Sequence, residues 1–136
     1  MTDLPDMPAR LIALLQAPSP SLIATTNPDG SPQLTQTWVG TDGTHILINT
    51  VRGYRKLKNI DRDPRVAVSV LDRDDPSTYY AVAGTVITTD TEAGRASVEE
   101  LSLKYTGQPY RAYAAGNQTR VLLTIRVDRI LHAPWH

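Results

Sequence analysis

The residues of this chain best equipped for chemistry are cations and amides rather than nucleophiles. Arg52, Arg55, Lys56, Lys58, Arg62 and Arg65 crowd into TVRGYRKLKNIDRDPRVAVSVL, Thr50 to Leu71, in a chain with 14 Lys and Arg and only Arg10 ahead of them. An apolar run, His45 to Asn49, reads as a strand leading into the cluster, and Val66, Val68 and Val70 at period two read as a strand leaving it. Between them Tyr54, Leu57 and Ile60 stand three apart on one face of a short helix. Asp63 before Pro64 is biased out of the helical region, so that helix is predicted to end at about Arg62. Cations and unpaired N–H groups delivered to a helix start suit an anion, because the first turn's donors lack intrahelical partners. The pattern points to a phosphate-bearing ligand. A solvated basic helix paired with Asp61, Asp63 and the run Asp72, Asp74, Asp75 fits the same charges.

A second candidate stretch precedes it. Gln33, Thr35 and Thr37 alternate with Leu34, Gln36 and Trp38, so a strand there carries polar groups on both faces. An edge strand with one wet face and a strand lining a ligand cleft both satisfy that pattern.

Other chemistry is missing. His45, His132 and His136 are not at metal-ligand spacing, and there is no HExxH, GxSxG or glycine-rich phosphate loop, so no metal site is expected. His45 follows a turn signal and reads as a solvent-facing strand residue. Asp74 and Asp75 read as part of a solvated loop, and no serine or threonine has an oriented histidine beside it in the sequence pattern. Catalytic residues are therefore unassigned. An enzyme of this composition needs a bound cofactor to carry the reaction.

Composition sets the frame for these segments. At 136 residues the chain is predicted to be one domain, residues 1–136, able to bury roughly two-thirds of its unfolded surface. Fourteen acids balance fourteen bases, so no global field draws it to nucleic acid or anionic lipid. The absence of Cys rules out thiolate chemistry and disulfides and fits a reducing interior. MTDLPDMPAR does not resemble a signal peptide and no stretch approaches a membrane span, so a cytoplasmic location is expected.

The elements that must position the candidates follow in order. Pro8 and the spacing of Leu11, Leu14 and Leu15 predict a helix over about 8–17. Ser21 to Thr26 and Pro32 to Val39 read as strands around a type I turn at Asn27-Pro28-Asp29-Gly30, and Asp42-Gly43 reads as the next hairpin, giving a three-strand meander. Tyr79 to Thr89 is a long strand run with Gly84 marking a bulge or barrel corner. Thr89 and Glu92 are spaced as a capping box for a helix whose face is Val98, Leu101 and Tyr105 and whose end is Gly107. Tyr110, Arg111 and Tyr113 read as irregular or short helical, and Val121, Leu123, Ile125 and Val127 mark a half-buried strand. The expected class is mainly β with short α-helices, a small antiparallel barrel of about six strands in meander order.

LIATTNPDGSPQLTQTWV, ILINTVRGYRKLKNIDRDPRVAVSV, YYAVAGTVIT and RVLLTIRVDRIL resemble the flavin-binding split-barrel superfamily that includes pyridoxamine phosphate oxidase. More closely they resemble its branch of deazaflavin (coenzyme F420) dependent oxidoreductases. The most specific part is a strand ending in Asn-Thr, a basic Arg-Lys pair, then Asn-x-x-x-Asp-Pro-Arg-Val. The resemblance implies a split antiparallel β-barrel, a homodimer with the cofactor cleft at its interface, and hydride transfer between F420 and a small organic substrate. It implies that Arg55 and Lys56 hold the cofactor phosphate and that Asn49 and Thr50 touch the cofactor. Thr35, Gln36, Thr37 and Trp38 would lie beside the ring system. Arg52 and Lys58 are then the nearest basic candidates for the acidic tail that F420 carries beyond its phosphate. FMN in the same fold, or non-catalytic binding of flavin, deazaflavin or haem, are the alternatives. Thr35 stands where pyridoxamine phosphate oxidases have arginine, and the end LHAPWH lacks their arginine-rich segment, which argues against a vitamin oxidase.

Overall fold

Period-two alternation of apolar residues builds the sheet that everything else is packed on. In the computed structural model, which describes residues 4–111 and 118–134, the elements run α1 (Ala9–Gln16), β1 (Ser21–Thr26), β2 (Pro32–Thr37), β3 (Val39–Thr41), β4 (Ile46–Val51), α2 (Arg55–Arg62), β5 (Arg65–Leu71), β6 (Tyr79–Asp90), α3 (Gly94–Thr106) and β7 (Arg120–His132). Val66, Val68 and Val70 of β5, Val82 and Val86 of β6, and Val121, Leu123, Ile125 and Val127 of β7 bury one face of the sheet. Leu11 and Leu15 of α1 and Leu57 and Ile60 of α2 join the same core. Among the described residues no helix is long and apolar enough to cross a membrane.

All strand pairs are antiparallel, in the order β2-β1-β5-β6-β7-β4-β3. The expected class holds, a mainly β split barrel with short helices, with seven strands among the described residues rather than about six. The expected front meander does not form. The run from Pro32 to Val39 is not one strand: it pairs with β1 as far as Thr37, breaks at Trp38, and continues as β3 paired with β4. The physical reason is at the other side of the ladder. Ser21, the partner of Thr37, opens β1, and Pro20 before it has no N–H to donate, so β2 runs out of partner there. The two edge strands of the sheet are thus consecutive in the chain, and Trp38 is the joint that curls the sheet toward closure.

Turn chemistry does most of what the sequence asks. Gly30 N–H donates to Asn27 O at 2.9 Å, closing the β1–β2 turn. The β3–β4 hairpin carries a longer loop than a two-residue turn: the Asp42 carboxylate accepts from Thr44 N–H (2.9 Å) and His45 N–H (2.7 Å) and faces His45 Nδ1 at 3.0 Å. His45 is therefore a half-buried loop residue tied to Asp42, not a solvent-facing strand residue. At Gly84 the β6–β7 register shifts, and a β-carbon there would lie 2.6 Å from Arg126 O, so the close approach of β7 demands glycine. The expected capping box is absent because β6 runs on to Asp90, keeping Thr89 in the ladder opposite Leu123. Asp90 takes over the turn, its Oδ1 accepting from Glu92 N–H (2.8 Å) and Ala93 N–H (3.0 Å). Gly107 ends α3 in the left-handed region, φ 72°.

The short basic helix is anchored by a buried polar residue. Asn59 is wholly buried and its Nδ2 donates to Thr25 Oγ1 at 3.0 Å and Asn27 Oδ1 at 2.9 Å. Arg62 reaches the Thr26 carbonyl. Together they pin α2 to the β1–β2 hairpin, and Asp63, extended at φ −141°, ends the helix as expected before Pro64.

Candidate functional site

A cleft of about 520 Å³ opens between the end of β2 with its joint at Trp38 and the end of β4. One wall is the end of β2 with its joint, Gln36, Thr37 and Trp38, backed by Pro18 and Pro20 ahead of β1 and by Ser21, which opens it. The Trp38 ring stacks on Tyr105 of α3, centroids 5.4 Å apart and planes 12° off parallel. Tyr105 is fixed in turn, its hydroxyl accepting from Val39 N–H at 3.1 Å and donating to Ser19 O at 2.7 Å. Burial raises its phenol above the usual value, so it stays protonated.

The opposite wall is polar and cationic. Asn49 and Thr50 of β4, Tyr54 and Lys56 at the start of α2, and Tyr110 and Arg120 line it. Arg120 Nε donates to Asn49 Oδ1 at 2.8 Å and its Nη1 donates to Tyr110 Oη at 3.0 Å, with the guanidinium carbon 4.9 Å from the Tyr110 ring centroid. Asn49 Nδ2 donates to Gly94 O at 2.8 Å. Burial, and then the charge of Arg120, hold the Lys56 ammonium below the usual lysine value. Two cations therefore converge on this end, and no carboxylate is among the residues that line the cleft. The Thr50 hydroxyl is buried, with no hydrogen-bond partner among the described residues. Ahead of it, α2 begins at Arg55 with no side-chain cap on its N-terminal N–H groups.

Such an arrangement can hold a planar ring against Trp38 at one end and an oxyanion at the other. It contains no nucleophile–base pair. No cluster of metal-ligating side chains occurs among the described residues.

Of the residues singled out in the sequence, Gln36, Thr37, Trp38, Asn49, Thr50 and Lys56 meet in this cleft. Thr35 sits one residue behind the wall, its hydroxyl buried and unpartnered among the described residues. Arg55 is exposed at the first position of α2 and lines no part of the cleft. Arg52 and Lys58 line a neighbouring hollow of about 390 Å³ with Asp61, Thr89 and Thr91. Val51, Tyr54 and Lys56 thus line one hollow, and Arg52, Gly53, Leu57 and Lys58 line the other. Tyr113 and His136 lie outside the described residues. Sequence reasoning missed Arg120, Tyr110 and the Tyr105 hydroxyl. Arg120 looked like a wet-face residue of an alternating strand and Tyr105 like a core residue; the available signal was that a half-buried tyrosine needs a partner for its hydroxyl.

Comparison with known proteins agrees with this architecture. The family profile described as pyridoxamine 5'-phosphate oxidase matches residues 7–133. A solved structure named F420 Reductase is 30% identical, superposes with a TM-score of 0.78, and is matched over 91% of this chain and 98% of its own. A conserved hypothetical protein from Mycobacterium tuberculosis is 27% identical, with a TM-score of 0.69, over 96% of this chain and 86% of its own. The HupZ protein of Group A Streptococcus, at 18% identity, shares the fold with a TM-score of 0.65 over 91% of each chain. With the profile spanning every described strand of the curled seven-stranded sheet, the chain belongs to the pyridoxamine 5'-phosphate oxidase family of split barrels.

Proposed function

We propose that this single-domain chain is a cytoplasmic, homodimeric oxidoreductase that uses coenzyme F420 to exchange a hydride with a small organic substrate. The observation that carries the reading is the carboxylate-free cationic end of the cleft, with Lys56 and the unpartnered Thr50 hydroxyl beside the start of α2. Those groups fit a phosphate-bearing, flavin-type cofactor, because a buried donor without an acceptor and a partly desolvated ammonium both gain from an oxyanion. Likeness to the F420 reductase supports the deazaflavin over FMN.

Bound there, the cofactor supplies a ring carbon that accepts or donates a hydride. The protein's part is placement. Lys56 holds the phosphate, with Arg55 beside it on the open side of α2. Trp38, locked by Tyr105, gives the ring system a flat apolar wall, while Gln36 and Thr37 offer hydrogen bonds to its polar edge. A second copy of the chain would cover the open side and exclude water from the reacting carbon. Arg52 and Lys58 would meet the acidic tail of F420 where it passes around the start of α2 into the neighbouring hollow.

Fluorescence titration of F420 and FMN at low and high salt tests the assignment. Tighter binding of F420 is expected, with the steeper loss on adding salt, since exposed charge pairs are screened within about 8–10 Å. Arg52→Ala and Lys58→Ala should narrow the gap between the cofactors. Tight FMN binding without F420 binding would reverse the cofactor choice, and failure of both to bind would overturn the reading. Binding of F420 with no oxidation of its reduced form by any electron-poor acceptor would make the chain a carrier rather than an enzyme. A sedimentation experiment at micromolar concentration tests the dimer.

A further inference from the structure

Arg120 is held in place by two side-chain hydrogen bonds. Its Nε is engaged by the Asn49 amide oxygen and its Nη1 by the Tyr110 hydroxyl, while Nη2 has no hydrogen-bond partner among the described residues. Both partners are neutral, and Arg120 takes part in none of the ion pairs among the described residues. An arginine oriented by a carboxylate arrives neutralised; one oriented by an amide and a phenol keeps its full charge. Keeping such a cation half-buried beside Lys56 is unfavourable on its own, and the unfavourable term is offset when an anion enters. The support reaches further back, since Asn49 is itself held by Gly94 O at 2.8 Å and Tyr110 donates to Gln118 Oε1 at 2.9 Å. A guanidinium fixed this way loses little side-chain freedom when it binds a ligand.

We infer that Arg120 is the residue that fixes the ligand's phosphate, its Nη2 edge acting with Lys56, so that the oxyanion is read at the β4–β7 edge rather than by the exposed Arg55. The two cations come from α2 and β7, and both line one cleft. The inference deepens the cofactor reading and rests on it for the identity of the ligand, while the cradle is a property of the protein's own residues.

The test compares FMN and F420 with their phosphate-free ring systems, riboflavin and the bare deazaflavin chromophore, on wild type, Arg120→Gln and Arg55→Gln. Arg120→Gln is expected to raise the Kd of the phosphate-bearing ligands about tenfold to hundredfold and to leave the bare rings within about twofold. Arg120→Lys, which keeps the charge and loses the fork, should fall between. Thermal melts report whether each variant folds. Equal losses for ligands with and without phosphate, or a larger loss at Arg55 than at Arg120, would overturn the inference. Titration of inorganic phosphate into the folded wild type, followed at the Arg120 Nε–H signal by nitrogen-15 NMR, decides the point without any substitution. A saturable shift supports the cradle, and no shift in excess phosphate overturns it. If wild type binds neither cofactor yet shows that shift, the cofactor reading fails and the oxyanion cradle stands.

Discussion

The Tyr105 hydroxyl accepts the backbone N–H of Val39 at 3.1 Å across 66 residues of sequence, while its proton goes to Ser19 O at 2.7 Å. One side chain thereby ties the lead-in of β1 to the start of β3, across the gap left when the chain changes partners at Trp38. Tyr105→Phe keeps the ring against Trp38 and deletes both bonds, leaving the Val39 N–H unpaired in a buried setting. A loss of about 1–3 kcal/mol is expected, the cost of an unsatisfied buried donor, and urea unfolding measures it.

Lys104 sets a pH dependence. Its Nζ donates to Leu15 O at 2.7 Å and also to Val39 O, and burial pushes the ammonium down to about 8 from the usual 10.5. Between those values the unfolded chain holds a proton that the folded chain has shed, so this lysine's contribution to stability rises with pH through that window. Below it both states are charged and the burial penalty is fully present. Lys104→Met should flatten the rise, checked by melting wild type and variant from pH 7.5 to 10 in steps.

Gly94 is the close contact behind the cationic wall. A β-carbon there would stand 2.0 Å from Arg120 O and 2.8 Å from Val121 N. Gly94→Ala must push the start of α3 away from β7 and so disturb the Asn49–Arg120 pair that leans on Gly94 O. We expect destabilisation of about 1–3 kcal/mol, typical of overpacking, together with weaker cofactor binding. Parallel chemical denaturation and cofactor titration would show both losses; a variant that keeps wild-type affinity would disconnect the contact from the site.

Lys56 and Arg62 lie on the same short helix and are expected to separate affinity from stability. Lys56→Ala removes a cleft cation and should raise the cofactor Kd about tenfold to hundredfold, with little change in melting temperature. Arg62→Ala removes the contacts to Thr26 O and Asn59 Oδ1, so it should lower stability and leave affinity near wild type. Equal affinity losses at both positions would mean a diffuse basic patch rather than a site.

The strands and the short basic helix were legible because each is determined locally. Alternation in Val121 to Val127 marks a half-buried strand, Asp63 before Pro64 stops α2, and Gly107 stops α3. The cations of the helix and the two-faced polarity of Gln33 to Trp38 were visible for the same reason, since residue type and spacing carry them. What the sequence could not carry is which strand pairs with which. The break at Trp38 follows from where β1 begins, a fact about a partner strand rather than about residues 32 to 39. That break sends β2 and β3 to opposite edges of the sheet and places Trp38 over the cleft. The choice of cations is equally a matter of three-dimensional placement. Lys56 faces the cleft and Arg52 and Lys58 the neighbouring hollow, because successive side chains leave the chain on different sides as β4 passes into α2. Arg120 joins Lys56 only because antiparallel pairing sets the start of β7 against the end of β4, with Val51 opposite Arg120.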